Sequence, residues 1–126
     1  MTTRVTVPTL VTALLLAGCA DLTEGMTPPR QAAPAPGAVA SLDRMSPSVC
    51  NPELARALAG ARIPVENIRE LTYGIERDEP RGKIIRYNAW VYPKNQPGVI
   101  VVQMDGDCNL QQIYPRDGAT LPSQPS

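Results

Sequence analysis

Histidine and phenylalanine are both absent from this 126-residue chain, and its only aromatic side chains are four Tyr and one Trp. Without His the chain lacks the commonest general base and the commonest transition-metal ligand. Excess charge of one sign is missing too: 12 basic side chains face 12 acidic ones. No basic stripe offers itself to a nucleic-acid backbone, so no nucleic-acid partner is expected. The three cysteines include no CxxC pair, which argues against a thiolate metal site. Carboxylates remain as acid–base candidates. Glu66, Glu70, Glu76, Asp78 and Glu79 alternate with Arg69, Arg77 and Arg81 in the manner of a solvated face, and no pair sits among apolar residues that would raise a pKa. Asp105, Asp107 and Asn109 open like a calcium loop, but Leu110 and Arg116 stand where that loop needs Gly and a bidentate Glu. An enzyme is not expected, nor a metal, nor a cofactor.

What is present begins with an apolar stretch from Val5 to Ala17, preceded by Arg4 and interrupted by Pro8. As a helix it would span about 20 Å, short of the roughly 30 Å of bilayer hydrocarbon. It suits the apolar core of a secretory signal. Leu16, Ala17, Gly18 and Cys19 follow in order. This "LAGC" resembles the lipobox of bacterial lipoproteins, over the first nineteen residues only. The resemblance implies cleavage before Cys19 and diacylglycerol on its sulfur, with a further acyl chain on the new amine. One fatty chain binds a membrane marginally, whereas two or three make attachment effectively permanent. Ala20, rather than Asp, follows the cysteine and leans the sorting toward the outer membrane, with the folded part facing the periplasm.

Residues 1–18 are thus expected as a signal peptide, which leaves 108 residues and a net charge near −1. Residues 19–42 hold Pro28, Pro29, Pro34 and Pro36 among many Ala, and are expected as a disordered tether behind the lipidated cysteine. A flexible coil of that length reaches roughly 25–30 Å. Residues 43–117 are expected to fold, and 118–126 to form a disordered tail.

Cys50 and Cys108 remain as an even pair in an oxidising compartment, so a disulfide is expected between them. Asn51 reads as an N-cap, with Pro52 at the first helical position. Leu54, Ala55, Leu58 and Ala61 give the helix its apolar stripe, and Pro64 stops it. Beyond Pro64 the apolar period becomes two. Strands are expected in "NIRELTYGIERDE", "KIIRYNAWVYP", "VIVVQM" and "CNLQQIYP", with a type I′ hairpin turn at Asp105-Gly106. The expected fold is α+β: one N-terminal helix packed on a four-stranded antiparallel meander, with one disulfide.

In the second strand, Ile85, Tyr87, Ala89 and Val91 are expected to face the helix. Arg86, Asn88, Trp90 and Tyr92 then share the other face, a composition suited to protein contact. Trp90 could instead belong to the core of a domain that has no Phe. The element order is similar to that of small accessory lipoproteins of outer-membrane protein assembly, with no shared motif. The expected function is a non-catalytic envelope lipoprotein that acts as an interaction or accessory module, with the membrane and an envelope protein as partners. The alternative is a module that binds a small ligand, a peptidoglycan fragment or a lysozyme.

Overall fold

The computed structural model describes Thr3 and residues 29–122. Apart from Thr3, the expected signal segment, Cys19 and the tether as far as residue 28 lie outside the described residues. Two helices, α1 (Ala38–Met45) and α2 (Asn51–Gly60), precede a short 3-10 turn at Val65–Asn67. Four strands follow: β1 (Ile68–Arg77), β2 (Ile84–Pro93), β3 (Val99–Asp105) and β4 (Leu110–Arg116). The strands pair in sequence order and every pair is antiparallel, which makes the expected meander.

The expectation of a single helix is corrected to two among the described residues. α1 occupies the end of the segment read as tether, where Pro34 and Pro36 conceal it. Eight residues are too few to hold a helix in water, so packing must do it. Ala38 and Leu42, one turn apart, are both buried in the core. Gly37 supplies the left-handed turn (φ 82°) that starts the helix. Ahead of it the chain lies along α2: the Ala32 amide donates to the Arg56 carbonyl at 3.1 Å, and Gln31 Nε2 donates to Glu53 Oε2 at 2.9 Å. Gly60 permits this approach, since a Cβ there would run into the Arg30 carbonyl.

α2 starts one residue earlier than expected. Cys50, not Asn51, is the N-cap, and no side chain caps the helix. Asn51 is instead fully buried. Its Nδ2 donates to Asp43 Oδ1 at 2.6 Å and to the Ser46 carbonyl at 2.9 Å, while Tyr73 Oη donates to Asn51 Oδ1 at 2.6 Å. One amide therefore joins α1, the connection after it, α2 and β1. Cys50 and Cys108 form the expected disulfide, 58 residues apart in sequence.

The core lies between the helices and one face of the sheet. Leu42, Leu54 and Leu58 meet Ala89, Val91, Ile100, Val102 and Met104. Leu71 and Tyr73 face it, and across a bulge between Ile68 and Glu70 Ile68 faces it as well. Ile75 and Ile85 remain 49% and 50% exposed, out of the core, where the β1–β2 hairpin runs on toward its turn. The Asp105-Gly106 turn also differs from expectation. β3 ends at Asp105 and β4 begins at Leu110, so the connection is longer than two residues, and Cys108 (φ 65°) takes the left-handed position. The segment read as a disordered tail is packed as far as it is described: Ala119 and Leu121 are buried, and the Thr120 amide donates to Gln96 Oε1 at 2.8 Å.

Candidate functional site

With both helices on one side, the other face of the sheet carries no packed element among the described residues. Strand alternation sorts the side chains onto it. From β2 it receives Arg86, Asn88, Trp90 and Tyr92, all half-buried. Ala89 and Val91 are buried beneath the helices, and Tyr87 packs against that core. Trp90 is outside the core cluster, which decides its placement in favour of the open face.

Antiparallel register builds this face in rows. Thr72, Trp90, Val101 and Tyr114 lie across the four strands, and Gly74, Asn88, Gln103 and Gln112 form the row beside them. The indole Nε1 of Trp90 lies 3.4 Å from where a Cβ of Gly74 would stand, so the ring leans over the glycine of the edge strand. Two arginines cover the aromatic rings: Arg116 over Trp90 at 5.4 Å and Arg69 over Tyr92 at 5.5 Å from the ring centroids. Gln112 Nε2 donates to Gln103 Oε1 across β3 and β4. At the end near the β1–β2 turn, Arg86 Nη1 pairs with Glu76 Oε2 at 2.9 Å.

Two polar atoms in this face are buried without a hydrogen-bond partner, Arg86 Nε and Asn88 Oδ1. Leaving such atoms unpaired costs stability. Tyr114, Arg116, Gln103 and Gln112 were not singled out from sequence. The period of two in β3 and β4 carries that signal once the register is known. Asp105, at the edge of the same face, is engaged by its own turn. Its Oδ1 accepts from the amides of Asp107 and Asn109, both at 2.9 Å, and its Oδ2 accepts from Asn109 Nδ2 at 3.1 Å. The Asn109 amide above all holds this carboxyl below the usual carboxylate range. Among the described residues, no group of three or more His, Cys, Asp or Glu side chains is placed to hold a metal ion.

The site is suited to contact with an extended partner surface: aromatic area and stacked cations on a four-stranded platform. No family model, curated protein or solved structure matches the chain. No helix among the described residues is long and apolar enough to cross a membrane.

Proposed function

We propose that the chain is an envelope lipoprotein, held to a membrane by acyl chains on Cys19, whose folded domain is a non-catalytic interaction module. The observation that carries the module reading is the open sheet face. Trp90, Tyr92 and Tyr114 lie there with Arg69 and Arg116 stacked over two of the rings. Aromatic and Arg side chains are the residues that dominate protein interfaces. The lipobox residues Leu16, Ala17, Gly18 and Cys19 support the anchor, and the Cys50–Cys108 bridge supports an oxidising compartment. The partner in this reading is another envelope protein, which supplies carboxylates or carbonyls to the arginines and apolar surface to the rings.

In-cell photocross-linking from positions 86, 88, 90 and 92, with positions 87, 89 and 91 as controls, tests the reading. One envelope protein captured from the open face alone, and lost on Trp90→Ala, is the expected result. Equal capture from both sets, or none from either, removes the open face as the site.

A further inference from the structure

A second concave surface lies on the helical side of the domain, away from the sheet face. α1, α2 and the chain from Ile63 to Glu66 enclose a groove of about 540 Å³, the size of a small-molecule site. Most of its wall is apolar, with Ala38, Ala55, Ala59, Ile63 and Pro64, and Ser41 adds a hydroxyl. Two cations border it, Arg44 and Arg62, against a single carboxylate, Glu66. Arg44 Nη2 is steadied by Ser41 Oγ at 3.0 Å. Among the described residues, neither arginine has a carboxylate within 4.0 Å.

Arg62 stands in a backbone position that another residue would fill more comfortably. The Ile63 amide donates to the Leu58 carbonyl at 2.9 Å and the Arg62 amide to the Ala59 carbonyl at 3.1 Å, the two bonds of a Schellman closure. Arg62 takes its left-handed position, with φ 61°. Glycine is the usual residue there because a Cβ disfavours that conformation. The arginine therefore costs stability while it places a guanidinium at the groove.

We propose that this groove binds a free fatty acid, with the acyl chain along the apolar wall and the carboxylate held between Arg44 and Arg62. Most of the wall is apolar, and the surplus of positive charge over Glu66 selects an anionic head. This site is separate from the sheet face and stands without the interaction reading above.

The full chain is titrated with the fluorescent polyene cis-parinaric acid, whose emission rises in apolar surroundings. The expected result is saturable binding at one site, reversed by palmitate and not by methyl palmitate, because the ester lacks the charge. Arg44→Gln and Arg62→Gly should each weaken binding roughly tenfold. Arg62→Gly also relieves the left-handed strain, so its thermal midpoint should hold or rise, which separates lost binding from lost folding. Absence of saturable binding overturns the proposal, as does equal displacement by the methyl ester or unchanged affinity in both variants. Binding that appears only in Cys19→Ser overturns it too, since the chain's own acyl anchor would then be the occupant. Stronger displacement by a diacyl phospholipid than by palmitate does the same.

Discussion

Arg116 lies over the indole of Trp90, with its guanidinium carbon 5.4 Å from the ring centroid, although the two residues belong to strands that do not pair. β3 runs between them, and its Val101, the register partner of both Trp90 and Tyr114, is 1% exposed on a face with no packed element among the described residues. Stacked side chains thus keep water from the middle of the open face without a second layer of structure. Trp90→Ala should uncover Val101 and Gly74 together and lower stability by about 1–3 kcal/mol, read as a shift of the urea midpoint. A midpoint that does not move would mean that the ring protects nothing.

Gly60→Ala inverts an ordinary expectation. In a helix that packs against nothing, the change should stabilise by about 1 kcal/mol. Here the new methyl meets the Arg30 carbonyl, so the segment before α1 must lift from α2. Trypsin should then cut after Arg30 faster, and the Ala32 amide should lose its protection from hydrogen exchange. A more stable protein with unchanged proteolysis would show that the segment is not docked there in solution.

Tyr73 makes stability depend on alkaline pH. Burial pushes its phenol from 10.0 up to about 12; the Ser48 side chain opposes the rise, and the Asp43 charge adds to it. The folded protein therefore holds this proton more tightly than the unfolded chain does. Its contribution is complete below pH 10 and is lost as pH climbs toward 12. Tyr73→Phe should flatten that decline in denaturant midpoints taken from pH 9 upward. It should also cost about 1–2 kcal/mol at neutral pH, because Asn51 Oδ1 loses its donor.

Reduction of Cys50–Cys108 opens a covalent loop that closes over 58 residues. The loss should be on the order of 4 kcal/mol, a large share of what a small domain has, measured by denaturation with and without reductant. Equal midpoints would leave the helices and sheet sufficient by themselves.

Cys19→Ser should release the protein from membranes into the soluble fraction, and blocking lipoprotein signal cleavage should leave a larger precursor. A variant that still sediments with membranes would defeat the acyl anchor.

The strands were legible for two reasons: β2 alternates, with Ala89 and Val91 inward, and β3 opens with a run of β-branched residues from Val99 to Val102. The face carrying Arg86, Asn88, Trp90 and Tyr92 followed from the same alternation. α1 was hidden because local composition argues against it, and contacts with the rest of the domain, made by Ala38, Val39, Leu42 and Asp43, stabilise it. Asn51 was misread because the residue that caps best at a helix start also serves well as a buried bridging amide. The groove escaped entirely, since its walls come from three stretches of chain and no spacing within any one of them announces it.

The bridge from the start of α2 to the turn before β4 has a mechanical consequence. A pull between the N-terminal segment and the C-terminal end travels through α1 to Cys50 and then crosses the sulfurs directly to Cys108. α2 and strands β1, β2 and β3 all lie inside the bypassed stretch and are loaded only through their contacts with the parts outside it. Among the described residues, the segment docked on α2, α1, β4 and the short packed end with Leu121 are in series with the load. Oxidised, the domain should yield at those parts and extend little. Reduced, the same force would unzip the meander strand by strand.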